Sequence, residues 1–136
     1  MNMGLRFLDA ASAAAPDLVL ANDIDVESIA GALDGVGSIA LDFPKWVDGR
    51  AYSQARLLRS RYRFRGEIRA TGEVVADMVP LLVRTGFDAV VLRAGEDRSV
   101  AERTLAFFPE GHYQADIGEP LPRFRRGGGT LGEGTR

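Results

Sequence analysis

Short apolar runs alternate with longer segments whose apolar residues recur at helical spacing. The apolar runs predict four strands, at 17–21, 38–43, 66–70 and 87–92. The segments between and after them predict four helices, which begin near Asp25, Asp48, Thr71 and Ser99. Each of these four residues has a side-chain oxygen that can cap a helix N-terminus. A last short strand is predicted at 112–114.

The repeated strand–helix order predicts an α/β fold with about four β-α units and a mainly parallel sheet. The runs at 38–43 and 87–92 are almost continuously apolar, which is typical of parallel strands covered on both faces. Two architectures agree with this pattern: a compact open α/β sandwich, and a half-barrel with about half of the usual eight units. Because a half-barrel leaves sheet edges and an apolar face uncovered, it favours a homodimer.

Proline and glycine mark the third predicted helix. Pro80 stands inside its apolar pattern and predicts a kink, because proline removes one backbone hydrogen bond and clashes with the preceding turn. Gly86 follows the last apolar position of the helix and is expected to adopt the left-handed conformation that ends many helices.

Composition divides the chain into three parts. Residues 1–16 are rich in alanine and predict an N-terminal extension, and residues 17–120 predict a single α/β domain. Residues 121–136 are rich in arginine and glycine, and we expect a flexible tail there. The first segment carries Arg6 and Asp9 and makes a poor signal peptide. No run approaches the roughly 18 apolar residues of a membrane span, so we expect no membrane contact. Because the chain has no cysteine and no export signal, we expect a cytoplasmic protein.

The composition also excludes several kinds of chemistry. The chain has no cysteine and a single histidine, His112, in 136 residues. Disulfides, thiolate zinc sites, cysteine-bound iron–sulfur clusters and a cysteine nucleophile are therefore excluded. The phosphate-binding loop G-x-x-x-x-G-K-[ST] is absent, and no G-x-G-x-x-G follows a predicted strand. We expect no bound cofactor and no metal.

The net charge of −2 is unevenly distributed along the chain. Residues 1–49 carry eight acidic side chains against Arg6 and Lys45, a net charge of −6, whereas residues 50–69 carry seven arginines against Glu67, a net charge of +6. Such a segment favours a small anion or an acidic protein partner, and we expect no nucleic acid. The alternative is a solvated helix face that pairs with the acidic first third. The candidate partner-binding residues are Arg56, Arg59, Arg63 and Arg69.

In parallel α/β folds, ligands bind beyond the carboxyl ends of the strands. The loop after the second predicted strand is the richest of these positions in reactive side chains, and it contains the only lysine and the only tryptophan of the chain. A carboxylate, an amine and a guanidinium on one loop could bind an anion or transfer a proton. The candidate site residues are Asp42, Lys45, Asp48, Arg50, Tyr52 and Ser53. The alternative is structural, with Asp48 as a helix cap and Asp42 as an acceptor for loop amides.

Five stretches of the chain resemble the bacterial family known as domain of unknown function 934: residues 20–25, 40–45, 48–59, 66–74 and 85–88. The sequence D-G-R-A-Y-S at 48–53, followed by R-L-L-R at 56–59, is the most specific part of a resemblance that spans about residues 18–115. Members of that family are often labelled as oxidoreductases involved in sulfite reduction, and they are commonly encoded beside sulfite or nitrite reductase. The resemblance implies signature positions, without a reaction for any of them, at Asp42, Pro44, Asp48, Gly49, Arg50, Tyr52, Ser53, Arg56, Arg59, Arg69 and Gly72.

Redox chemistry requires a thiol or a cofactor, and the sequence has neither cysteine nor a dinucleotide fingerprint. We therefore expect an accessory protein of assimilatory sulfite reduction that binds an anion or a reductase partner and does not itself carry electrons. The expected partners are sulfite or nitrite reductase or other proteins of sulfur assimilation. Two alternatives stay open: a small α/β enzyme with the Lys/Asp/Arg strand-end site, and a non-catalytic dimeric scaffold.

Overall fold

The computed structural model describes residues 5–107, and within them five strands form one sheet. The strands are β1 (Arg6–Phe7), β2 (Leu18–Leu20), β3 (Ser38–Phe43), β4 (Glu67–Gly72) and β5 (Ala89–Val90). Their spatial order is β1-β5-β4-β3-β2, and every pairing is parallel. The predicted α/β fold with a parallel sheet is confirmed. Because β1 and β2 form two separate edges, the sheet is open.

Helices follow four of the strands and complete four β-α units. They are α1 (Val26–Ile29), α2 (Arg50–Ser60), α3 (Val79–Thr85) and α4 (Arg98–Ala106). Two 3₁₀ helices extend this set, with Ala30–Ala32 directly after α1 and Ala76–Met78 directly before α3. Over residues 5–107, none of the helices has the length and apolar character needed to cross a membrane. The strand predicted at 112–114 and the tail predicted at 121–136 lie outside the described residues.

One face of the sheet forms the apolar core together with the helices. Because side chains alternate along a strand, Ile39, Leu41 and Phe43 of β3 point to the same face as Ile68 and Ala70 of β4. All five side chains are fully buried. Helix α2 presents its buried stripe to this core, with Ala51, Ala55 and Leu58. Burial of each large apolar side chain contributes about 1.5–3 kcal/mol, which makes this face the main source of stability.

The opposite face of the sheet is crossed by the segment that links β1 to β2. Arg69 of β4 points to this face, and its Nη1 donates to the carbonyl oxygen of Ala14 over 2.8 Å. The carboxylate of Glu67 forms ion pairs with Arg6 of β1 and with Arg69, both at 2.7 Å. The linking segment is therefore held on the sheet by a chain of charged hydrogen bonds.

Strand β1 is the strand that the sequence does not predict. Its two residues pair with β5 and lie within residues 1–16, for which the composition predicts an extension outside the domain. Two residues are too few to produce a periodic pattern, and the strand is defined by its pairing with a distant part of the chain. The sheet therefore begins before residue 17.

The structure corrects the beginnings of two helices. Thr71 lies within β4 and caps no helix, because the chain first passes through a loop and a 3₁₀ helix. Pro80 consequently stands in the first turn of α3, where its nitrogen needs no hydrogen bond, and the predicted kink is wrong. Helix α4 is capped by the carboxylate of Asp97, which accepts from the Ser99 amide. Gly86 ends α3 with a φ of +109°, which confirms the expected left-handed residue.

Candidate functional site

The loops after β2 and β3 meet beside the first turns of α2, at the carboxyl edge of the sheet. Asn22 Nδ2 donates to Asp48 Oδ2 over 2.7 Å, and this hydrogen bond joins the two loops. Gln54 of α2 is buried, and its Nε2 donates to the carbonyl oxygens of Ala21 and Ile24, each 2.9 Å away. Its Oε1 is buried without a hydrogen-bond partner among residues 5–107. Both loops are thus fixed to the same helix.

Asp48 and Arg50 form an ion pair where the second of these loops enters α2. The Arg50 side chain donates to Asp48 over 3.0 Å and 3.3 Å, and the Arg50 amide donates to Asp48 Oδ1 over 3.0 Å. These hydrogen bonds lower the pKa of Asp48 and raise the pKa of Arg50. Although Gly49 occupies the N-cap position, Asp48 satisfies the first helical amide, as the structural alternative proposes. The positive charge of Arg50 is balanced by its neighbour.

Asp42 and Lys45 stand apart from this ion pair. The Asp42 carboxylate lies against Gly72 of the neighbouring strand, where a Cβ would be 2.6 Å from Asp42 Oδ1 and 2.5 Å from the Phe43 carbonyl oxygen. Lys45 is exposed. In the described part of the chain, neither side chain has a hydrogen bond or ion pair with the other predicted site residues. The structure therefore brings together one pair of the predicted site and not the whole set.

Tyr52 and Ser53 are adjacent in sequence but differ in their surroundings. The Tyr52 ring is half-buried, with its centre 5.1 Å from that of Phe43 and 6.4 Å from that of Phe87. Burial raises the pKa of Tyr52 to about 12, so the phenol stays protonated at neutral pH. Ser53 is exposed on α2. Tyr52 therefore packs α2 against the sheet.

Arg59 of α2 connects its helix with the end of α3 and with the loop before β4. Its Nε donates to the carbonyl oxygen of Gly86 over 2.9 Å, and its Nη1 donates to those of Phe64 and Gly66 over 2.9 Å and 2.8 Å. Its Nη2 lies 3.4 Å from a carboxylate oxygen of Asp88. Burial lowers the pKa of Arg59, and Asp88 offsets part of this effect. The guanidinium is occupied by the protein itself.

Arg69, the second internal arginine, is buried beneath the segment that links β1 to β2. Its partner Glu67 lies between two guanidinium groups. Burial by itself would raise the pKa of Glu67, but the hydrogen bonds from Arg6 and Arg69 outweigh it and lower that pKa overall. Of the four arginines predicted to bind a partner, Arg59 and Arg69 are thus committed to intramolecular bonds.

The remaining arginines of the segment 50–69 form a basic surface, defined as Arg56, Arg61, Arg63 and Arg65. All four are exposed. Among residues 5–107, none of them has an ion pair with an acidic side chain. Arg56 and Arg63 belong to the predicted partner-binding residues, whereas Arg61 and Arg65 do not. The basic surface therefore carries four positive charges that no acidic side chain of residues 5–107 pairs with.

Alternation along the loop after α2 explains why three of these arginines point outward. Tyr62 and Phe64 pack against the core, so Arg61, Arg63 and Arg65 are left on the solvent side. The sequence R-Y-R-F-R at 61–65 contains this signal, and it would have identified the two arginines that the prediction omits. Arg63 adopts a left-handed conformation with a φ of +56°.

Comparison with known families decides the membership of the chain. The family model described as bacterial protein of unknown function (DUF934) matches residues 17–124. The chain belongs to the DUF934 family. The resemblance seen in the sequence is confirmed at the level of the family. No curated protein and no solved structure matches the chain.

In this DUF934 protein, several of the signature positions implied by the resemblance hold the fold together. Arg59 and Arg69 bind carbonyl and carboxylate groups inside the molecule, and Gly72 has a φ of +95° where a side chain would collide with β3. Arg56 is instead exposed on the basic surface. Across residues 5–107, no group of three or more His, Asp or Glu side chains could hold a metal ion. The arrangement is suited to recognise carboxylates or other anions.

Proposed function

We propose that this DUF934 protein is a cytoplasmic accessory protein of assimilatory sulfite reduction, and that its basic surface docks on an acidic face of a reductase. The observation that supports the proposal is the set of four exposed arginines without an acidic partner among the described residues. The class of partner comes from the resemblance, since similar proteins are encoded beside sulfite or nitrite reductase.

The chemistry of arginine supports docking on an acidic protein surface. A guanidinium presents five N–H donors in a planar fork and binds a carboxylate through two parallel hydrogen bonds. Four such groups, one on α2 and three directly after it, also attract an acidic partner before contact and raise the association rate. Because Arg59 fixes the loop from inside, docking requires less ordering of the backbone than a flexible loop would.

In this proposal the reductase carries the electrons. The chain has no cysteine, so it offers no thiol that could be oxidised and reduced. Exposed charges on a loop that Arg59 holds through two hydrogen bonds are properties of a binding surface. The proposed contribution of this protein is therefore to hold or orient the reductase.

A binding titration of the full chain on immobilised assimilatory sulfite reductase tests the proposal. We expect the affinity to fall as sodium chloride is added, because salt screens exposed charges. The double variant Arg61→Gln/Arg63→Gln should bind about tenfold more weakly. The matched control Lys45→Gln/Arg103→Gln removes two exposed positive charges that lie outside the basic surface, and it should change the affinity by less than about twofold.

Three outcomes would contradict this proposal. Absence of binding to the reductase at low salt would exclude the partner. Affinity that does not respond to salt would exclude docking by exposed charge, and an equal loss in both double variants would exclude the basic surface as the contact. Circular dichroism of each variant checks that the fold is retained, as we expect for substitutions at four exposed side chains.

A further inference from the structure

A groove lies at the carboxyl ends of β1 and β5, at the other side of the sheet from β3 and the candidate site residues that follow it. The two strands are neighbours, but the chain leaves them in different directions. After β1 it crosses the second face of the sheet toward β2, and after β5 it enters α4, which packs against α3 on the core face. Strands whose connections diverge in this way form the crevice in which open α/β sheets bind ligands.

The groove is large enough for a small molecule and has an apolar floor. Its volume is about 510 Å³, within the range of roughly 300–1,000 Å³ found for small-molecule sites. Its apolar lining is partly exposed and consists of Phe7, Leu8 and Leu92. Phe7 and Leu92 also pack against the core. A flat apolar group would cover these side chains and remove them from water.

The acidic side chains of the groove are already engaged within the protein. The Asp9 carboxylate accepts from the amide of Ala11, and Glu96 accepts from the amide of Ala76 and pairs with Arg93. These carboxylates stabilise the backbone by accepting hydrogen bonds from its amides. Together with Arg93 and Arg98, these two side chains leave the charged lining of the groove without a net charge.

The groove has two arginines, and among residues 5–107 Arg93 is paired with Glu73 and Glu96, whereas Arg98 has both terminal nitrogens without a hydrogen-bond partner. Its guanidinium lies 5.2 Å from the centre of the Phe7 ring, over the apolar floor. Within the described part of the chain its bond is an exposed ion pair of Nε with Glu102 at 2.9 Å, and both side chains are more than half exposed. Such an exposed pair contributes little, so Arg98 can turn both terminal nitrogens toward a ligand at small cost.

We infer that this groove is a binding site for a small organic anion, one with a flat apolar ring and a single phosphate, sulfonate or carboxylate group. The ring lies on Phe7, Leu8 and Leu92, and the anionic group accepts from the two terminal nitrogens of Arg98. Recognition needs both parts. An inorganic anion lacks the apolar contact, and a neutral ring lacks the charged one.

NMR titration of the isotope-labelled full chain with phenyl phosphate tests this inference, with inorganic phosphate and phenol as separate arms. We expect saturable shifts of the amide signals at Phe7, Leu92 and Gly95. Phenyl phosphate should bind at least about tenfold more tightly than either fragment. Shifts centred on the basic surface, equal affinity for inorganic phosphate, or the absence of saturable shifts would overturn the inference.

Two substitutions on α4 separate the groove from general attraction of anions. Arg98→Gln should weaken phenyl phosphate binding about tenfold, because the charged contact is lost. Arg103→Gln removes an equal charge from the same helix outside the groove and should change binding by less than about twofold. Equal effects of the two substitutions would overturn the assignment to Arg98. No reductase is present in this measurement, so its failure is distinct from failure of the docking proposal.

Discussion

Replacing Arg59 with methionine removes a guanidinium and keeps an unbranched side chain. In the native protein, that guanidinium donates to three carbonyl oxygens at 2.8–2.9 Å and lies 3.4 Å from the Asp88 carboxylate. Methionine has no N–H group, so the carbonyl oxygens of Phe64, Gly66 and Gly86 lose this donor. The loop that presents the basic surface then loses its connection to α2 and to the end of α3.

The expected loss follows from the number of bonds and from their exposure to water. Hydrogen bonds from a charged group contribute roughly 1.5–3 kcal/mol each, so three bonds shielded from water would contribute roughly 5–9 kcal/mol. The Arg59 side chain is 15% exposed, and water can replace part of these bonds. Methionine also avoids the desolvation that lowers the pKa of Arg59. We therefore expect the free energy of unfolding to fall by about 3 kcal/mol.

Urea unfolding followed by far-ultraviolet circular dichroism measures this loss. Arg56→Met is the matched control, because Arg56 is exposed on the same helix, and it should change the stability by less than about 0.5 kcal/mol. Arg59→Lys keeps the charge but lacks the planar fork, so it should retain only part of the lost stability. A loss below about 1 kcal/mol for Arg59→Met, or an equal loss for the control, would refute the reasoning.

Three further substitutions test the sheet, its second face and the core. Gly72→Ala should lower the free energy of unfolding by about 3 kcal/mol, which a lower melting temperature would show. The added Cβ would lie 2.5 Å from the Phe43 carbonyl oxygen, and the backbone at this position has a φ of +95°. Because folding lowers the pKa of Glu67, its contribution to stability is present above the ordinary value of 4.5 and is lost as the pH falls through the folded pKa. Glu67→Gln should therefore make stability less dependent on pH in acid, as urea unfolding at several pH values would show. Leu58→Ala should destabilise by about 2–5 kcal/mol in the same assay, whereas Leu57→Ala, at a position 39% exposed, should cost less than about 1 kcal/mol.

The central strands were predictable because their apolar runs coincide with their pairing. The strand predicted at 38–43 is β3 with the same bounds, and the predicted strand at 66–70 corresponds to β4. The run at 87–92 is longer than β5, since apolar residues continue beyond the two that pair with β4. Strand β1 gave no pattern of its own. Sequence periodicity thus detects burial, whereas strand length also depends on what lies beside the strand.

The roles of individual arginines were not predictable from their spacing in the sequence. Arg59 binds a carbonyl 27 positions away, and Arg69 binds one 55 positions away. These distant partners cannot be predicted from the residues around Arg59 and Arg69, because only the fold brings them together. Arg61 and Arg65 were predictable from the local alternation of arginine and aromatic residues, which a count of charge does not resolve. The helical stripe of α2 shows the same limit, since it identifies its buried face but not the partner of each polar side chain.

The acidic first third of the chain does not neutralise the basic segment, although their formal charges are equal and opposite. Carboxylates of this third are used on backbone amides: Asp17 accepts from Gly37, and Asp25 accepts from Glu27. Asp48 is the one acidic residue of this third that forms an ion pair with the basic segment within residues 5–107, and its partner is not part of the basic surface. These carboxylates therefore do not pair with the four arginines of the basic surface, which have no acidic partner among residues 5–107. Relative to this part of the chain, a molecule that binds the basic surface has to supply the negative charge.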